Sequence, residues 1–62
     1  MMDAVSKLAE LFAAINSLSL SEWEEGFIKS VQEQVELRGR DSLSDKQQTI
    51  IHDMYDKHEE GL

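Results

Sequence analysis

The sequence predicts an all-α fold, a compact three-helix bundle, and three observations support this prediction. Proline is absent from the 62 residues and glycine occurs three times, so little in the chain interrupts a helix. Apolar residues recur at steps of three and four in three separate segments. Each of these segments begins with a residue that caps helices well. We therefore expect a single small helical domain over residues 1–62, with helices at about 3–16, 21–38 and 44–60.

The first predicted helix begins at Asp3, whose carboxylate can accept hydrogen bonds from the free amides of the first turn. Its apolar face consists of residues at helical spacing, namely Val5, Leu8, Leu11, Phe12 and Ile15. Asn16 and Ser17 then break the pattern, so we expect the helix to end there.

The second predicted helix opens with a capping box, in which Ser21 and Glu24 each satisfy the other residue's backbone amide. Its apolar arc covers about half of the helix circumference and contains Trp23, Phe27, Ile28, Val31, Val35 and Leu37. Gly26 inside this helix costs about 1 kcal/mol relative to alanine, and we expect close contact with another helix as the reason. Gly39 suits the left-handed position just past the end, and Arg38 complements the helix dipole.

The third predicted helix opens with a second capping box, formed by Ser44 and Gln47. Its apolar stripe contains Ile50, Ile51, Met54, Tyr55 and His58, and Gly61 follows its end. Residues 20–28 align without gaps on residues 43–51. We interpret this likeness as two helices that each place a leucine before a capped start.

The residues that carry catalytic or metal chemistry do not form a recognisable motif. Cysteine is absent, so neither a disulfide framework nor a thiolate metal site is expected. His52 and His58 are six residues apart and do not share the i, i+4 spacing of a paired metal site, and we expect His58 to be a packed edge residue. No Gly-rich phosphate loop is present. We expect no enzymatic activity, no cofactor and no metal site.

The charge balance is strongly acidic, with thirteen Asp and Glu residues against six Lys and Arg residues and a net charge of −7. Phosphate binding needs clustered basic residues, so direct binding to nucleic acid is disfavoured or weak. The acidic residues of the second and third helices allow two interpretations. They form either a solvated face or a surface that fits a positively charged protein groove.

Two features indicate where the protein acts. No apolar run approaches the length of about 20 residues that spans a bilayer. The N-terminus lacks the basic start and apolar core of a signal peptide. We expect a cytoplasmic protein that does not bind membranes.

The predicted core is small, so the chain is expected to fold with a thin margin, to dimerise, or to complete its core against a partner. Trp23 is the residue on which these alternatives depend. It either covers the edge of a small core or anchors a binding site, because tryptophan is common in binding hot spots. A homodimer through the apolar arc of the second helix is a further alternative.

Residues 20–58 resemble a short helical module of tailed-phage proteins. The pattern is a leucine with a capping residue, an acidic-tryptophan segment, an aromatic-aliphatic pair, a basic loop with glycine and a second capped start. Its elements here are Leu20-Ser21-Glu22-Trp23-Glu24, Phe27-Ile28, Arg38-Gly39-Arg40 and Leu43-Ser44-Asp45-Lys46-Gln47. This is similar to the small accessory domain associated with the UvsW helicase of T-even phages, and to similar domains on phage replication proteins. The resemblance implies a three-helix accessory domain in DNA replication, recombination or repair, without catalytic residues.

We therefore expect a non-enzymatic phage accessory protein in the cytoplasm of an infected bacterial host. Its partner is expected to be a phage or host DNA-processing enzyme, which it binds and modulates. The alternative is an acidic inhibitor that mimics DNA and binds in the DNA groove of a host defence protein. The residues expected to bind the partner are Trp23, Arg38, Arg40, Lys46, Glu22, Glu25 and Glu33. Arg38 and Arg40 also fit a plain structural role at the C-terminal end of the second helix.

Overall fold

A computed structural model describes residues 2–62 and confirms the three-helix bundle. The helices are α1 (Ala4–Ala13), α2 (Glu22–Arg38) and α3 (Asp45–His58). Short 3₁₀ turns at Arg40–Ser42 and Glu59–Gly61 precede and follow α3. Helix α1 packs against both α2 and α3, so the core lies where the three helices meet.

All three predicted N-terminal caps are confirmed. The Asp3 carboxylate accepts a hydrogen bond from a first-turn amide of α1 at 2.8 Å. The Ser21 hydroxyl accepts from the Glu24 amide at 3.1 Å, and the Glu24 carboxylate accepts from the Ser21 amide at 2.9 Å. Ser44 and Gln47 form the same reciprocal pair at 3.1 and 2.9 Å. These local bonds satisfy amides that a helix start otherwise leaves unpaired, which explains why each helix begins where it does.

The helix ends differ more from the prediction than the starts. Helix α1 ends at Ala13 rather than at 16, and residues 14–17 form turns. Helix α3 ends at His58, and the 3₁₀ turn covers the remaining residues that were predicted as helix. Gly39 has a φ of +94° and a ψ of 163°, which confirms the positive φ expected just past α2. Only glycine adopts this backbone conformation without strain.

The buried core contains eight apolar residues, drawn from all three helices and the loop before α3. They are Ala4, Leu8, Leu11, Ile28, Val31, Leu43, Ile51 and Met54. Leu20 is half-buried against this core and Leu43 belongs to it, which confirms that both capped starts follow a packed leucine.

Part of the predicted apolar faces lies outside this core. Phe12 is 40% exposed and Leu37 is 76% exposed, so these members of the predicted apolar faces lie largely in solvent. Trp23, which was left open between a core edge and a binding anchor, is 62% exposed. The buried line of α1 runs through Leu8 and Leu11, and that of α2 runs through Ile28. Trp23 and Leu37 lie beside the buried line of α2, because α1 covers only part of the wide apolar arc of that helix.

The expected reason for Gly26 was also wrong. A Cβ atom built on Gly26 has no atom within 4 Å, so no other helix of the bundle approaches this position. The glycine therefore lies in open space on the exposed side of α2, where the fold itself does not require it.

Among residues 2–62, no helix is both long enough and apolar enough to cross a membrane.

Candidate functional site

Trp23 is the most prominent exposed apolar residue at the start of α2. Its ring stacks on the Phe27 ring one turn later, with the centroids 5.2 Å apart and the planes 16° from parallel. Phe27 in turn packs against the core, so the stack holds the indole in place while 62% of Trp23 remains exposed. Stacked aromatic pairs of this kind stabilise one side-chain arrangement. Trp23 is therefore an ordered apolar surface and not a core residue.

Two grooves lie on either side of Trp23. The inner groove, between α2 and α3, has a volume of about 270 Å³ and is lined by Trp23, Glu24, Ile50, Asp53, Met54 and Lys57. The outer groove has a volume of about 400 Å³ and is lined by Glu22, Trp23, Gly26, Phe27, Ser30, Val31 and Gln47. Ile50, Met54 and Asp53 were not predicted to be neighbours of Trp23. Their position depends on how α3 lies beside α2, which no local pattern encodes.

Glu24, the predicted capping residue, lies directly behind Trp23 and is buried. Besides the Ser21 amide, its carboxylate contacts His58 Nε2 at 3.0 Å and Lys57 Nζ at 3.4 Å. The hydrogen bond from the Ser21 amide and that from His58 together lower the pKa of Glu24 to about 2. This charged bridge joins the start of α2 to the end of α3, and it fixes the backbone that carries Trp23.

His58 occupies the position predicted for it. It is a packed edge residue with a side chain only 11% exposed, and its ring nitrogen contacts Glu24. Within residues 2–62, no three His, Asp or Glu side chains lie close enough together to hold a metal ion.

A second bridge joins the other end of α2 to α3. The Gln34 and Gln47 side-chain amides bond to each other reciprocally, at 2.9 and 3.2 Å. Gln34 also donates to the backbone carbonyl of Ser42 at 2.9 Å. This neutral bridge holds α2, the 3₁₀ turn and the start of α3 together, beside the outer groove.

The three basic residues predicted to bind a partner occupy different situations. Arg40 donates to Asp3 at 2.7 Å and so joins the loop before α3 to the start of α1. The pKa of Asp3 is lowered, mainly by its hydrogen bond from the Ser6 amide and further by Arg40. Arg38 is exposed at the end of α2, and Lys46 is exposed in the first turn of α3. Arg40 thus has a structural contact, whereas Arg38 and Lys46 present their charges to solvent.

The three predicted acidic residues lie on the solvent side of α2. Glu22 is exposed and lines the outer groove next to Trp23. Glu33 is exposed three turns further along the same side. Glu25 pairs with Lys29 at 3.0 Å, an i, i+4 contact that neutralises its charge locally. The structure therefore places an apolar surface at Trp23 beside free carboxylates, with Asp53 on its other flank.

No protein-family model, curated protein or solved structure matches the chain. The functional conclusion therefore depends on the geometry of the surface around Trp23.

Proposed function

We propose that this chain is a non-enzymatic protein-binding domain, a phage accessory protein that docks onto a DNA-processing enzyme in the infected bacterium and modulates it. Trp23 is the apolar anchor, and the carboxylates around it orient the partner. The observation that carries this proposal is an exposed, ordered tryptophan between two grooves on a strongly acidic domain.

The apolar part of the proposal follows from the area that Trp23 leaves in water. An aromatic side chain can bury about 150–250 Å² at an interface, which is worth about 3 kcal/mol for the exposed portion of an indole. Because Phe27 already holds the ring, little side-chain freedom is lost when a partner covers it. Trp23 therefore has the properties of a binding hot spot.

The choice of partner class follows from charge. The chain carries a net charge of −7, and Glu22 and Asp53 lie beside the two grooves. Such a surface attracts positively charged proteins over a distance of about 8 Å at physiological salt. Enzymes that process DNA carry basic surfaces because they bind phosphates. The resemblance of residues 20–58 to phage helicase-associated domains favours the same class.

A capture experiment with matched variants tests this function. Tagged wild-type protein, Trp23→Ala and Phe12→Ala would be incubated with nuclease-treated lysate of infected cells. Phe12 is the matched control because it is also an exposed aromatic residue but lies on α1. We expect a DNA-processing enzyme to be retained by wild type and Phe12→Ala and lost with Trp23→Ala. Equal capture by all three proteins would contradict the proposal.

The alternative function is a DNA mimic that inhibits a nucleic-acid-binding defence protein. It is favoured by the exposed carboxylates of α2 and α3, among them Glu22, Glu33 and Asp53. Under this alternative, double-stranded DNA would compete for the captured protein, and Glu33→Lys would weaken capture more than Trp23→Ala. Capture that depends on Trp23 and persists in excess DNA would exclude the mimic.

A further inference from the structure

One side of α2 carries a stripe that the bundle covers only in part. Its members, which we call the outer face, are the exposed residues Trp23, Gly26, Ser30 and Leu37 and the half-buried residues Phe27 and Gln34. Trp23, Ser30 and Leu37 are each seven residues apart, which is close to two helical turns, so they lie along one side of the helix. The distance from Trp23 to Leu37 along the axis is about 21 Å.

Small residues occupy the centre of the outer face, and large apolar residues occupy its two ends. Gly26 and Ser30 occupy the middle, and a Cβ atom on Gly26 would meet nothing within 4 Å. Trp23 is 62% exposed at one end and Leu37 is 76% exposed at the other. The outer groove continues past Ser30 into a further depression lined by Glu33, Gln34, Leu37 and Arg38. The two depressions share Ser30, and the small residues between Trp23 and Leu37 allow a second helix to approach α2 closely.

An extended strand fits the outer face poorly. The backbone amides and carbonyls inside α2 are already paired within the helix, so they offer no ladder to an extended peptide. A helix satisfies its own backbone hydrogen bonds and needs only side-chain contacts with the face.

The charges beside the outer face determine what kind of helix it accepts. Glu22, Glu33 and Glu36 are exposed along its solvent edge. Lys29 on that edge is paired with Glu25 at 3.0 Å, and Arg38 is an exposed basic residue beside Leu37 at the end of α2. A helix with basic residues along its edge complements these carboxylates, whereas a second copy of this chain would place acidic edges next to one another.

We propose that the outer face of α2 is a docking site for an amphipathic helix of the partner protein, with aliphatic residues along its centre and Lys or Arg along its edge. This inference rests on the proposed function and names the partner element that it involves. The partner helix lies along α2, with its apolar residues against Trp23 and Leu37 and its basic residues next to Glu33 and Glu36.

The sole tryptophan of the chain reports directly on this site, because Trp23 is part of the outer face. The probe is an 18-residue amphipathic helical peptide of leucine and lysine that contains no aromatic residue. Scrambled Leu/Lys and amphipathic Leu/Glu peptides serve as controls. We expect a saturable change in Trp23 fluorescence with the amphipathic Leu/Lys peptide and none with the two controls. No saturable change with the Leu/Lys peptide would overturn the inference.

Variants separate docking from general attraction between opposite charges. Leu37→Ala is expected to weaken peptide binding about tenfold, as truncation of a buried anchor does, while Phe12→Ala leaves it unchanged. Glu33→Lys with Glu36→Lys should weaken binding strongly. Glu59→Lys with Glu60→Lys changes the net charge equally at exposed positions beyond α3 and should weaken binding much less. Equal weakening by the two double variants would mean non-specific attraction and would overturn the inference.

Sedimentation of the free protein provides the remaining test. A monomer that binds the Leu/Lys peptide supports the assignment. A dimer that Leu37→Ala converts to a monomer would show that a second copy covers the outer face, and would overturn it. These results are independent of the capture experiment, since Trp23-dependent capture can persist even when no helical peptide binds.

Discussion

The inner and outer sides of α2 both carry large apolar residues, but only the inner side is covered. Ile28 and Val31 on the inner side are 0% and 3% exposed, whereas Trp23 and Leu37 on the outer face are 62% and 76% exposed. Helix α1 packs against α2. On the outer face, a Cβ atom built on Gly26 has no neighbour within 4 Å, and α3 contacts this face at Gln34 through Gln47. Helix α2 therefore carries more apolar surface than the core of this small fold buries. The remaining apolar surface is concentrated on the outer face.

The largest expected effect is on the inner side. Ile28→Ala removes a fully buried side chain and should lower the free energy of unfolding by about 3 kcal/mol. Leu37→Ala on the outer face should lower it by less than about 0.5 kcal/mol, as exposed substitutions do. Urea unfolding followed by circular dichroism measures both values. Similar losses for the two variants would contradict the claim that the inner side stabilises the fold and the outer face does not.

The next largest effect on stability is expected at the charged bridge of Glu24 behind Trp23. Glu24→Gln keeps the shape of the side chain but removes the charge that His58 and Lys57 stabilise. At neutral pH it should lower the free energy of unfolding by about 2 kcal/mol, after allowance for solvent screening of the pair.

The pH dependence of this effect has a defined sign. The pKa of Glu24 is about 2 in the folded protein, below its usual value of 4.5. The stabilisation is therefore complete above pH about 4.5 and is lost as the pH falls towards 2. The difference between wild type and Glu24→Gln should shrink over this range. A Glu33→Gln control, at an exposed position, should show no such change. A constant difference for Glu24→Gln down to pH 2 would mean that its charge does not stabilise the bridge.

The smallest expected effect is that of Gly26→Ala, which should raise the stability of the fold but weaken peptide binding. Gly26→Ala places a methyl group in open space within a helix, so the free energy of unfolding should rise by up to about 1 kcal/mol. The same methyl group should obstruct a helix that approaches the outer face, so binding of the Leu/Lys peptide should weaken. Unfolding and fluorescence titrations of the one variant test both outcomes. A variant that is more stable and binds equally well would show that Gly26 plays no part in docking.

The helix starts could be predicted from sequence because each depends on residues close together in the chain. Asp3, the Ser21–Glu24 pair and the Ser44–Gln47 pair all bond within three residues. The positive φ at Gly39 could be predicted for the same reason, because it depends on the glycine at the end of α2. Such contacts form in the same way whatever the rest of the fold does.

The site could be predicted only in part, because it depends on how the helices pack. The apolar arc of α2 spans about half of the helix, and nothing in that segment indicates which part faces α1. The capping role of Glu24 could be predicted, but its burial against His58 could not, since His58 lies 34 residues away. Arg40 was predicted either to bind a partner or to act at the end of α2, and its bond to Asp3 could not be predicted, since Asp3 lies 37 residues away. The width of the α2 arc was the one signal that some apolar residues would remain exposed.

The central claim is that Trp23 serves binding and not the core. The most direct test is the free energy of unfolding of Trp23→Ala, measured by urea titration with the helical circular-dichroism signal. We expect a loss of no more than about 1 kcal/mol, the value of the stacking contact with Phe27, with the helical signal retained. A loss of about 3 kcal/mol or more, as expected for a core residue, would contradict it.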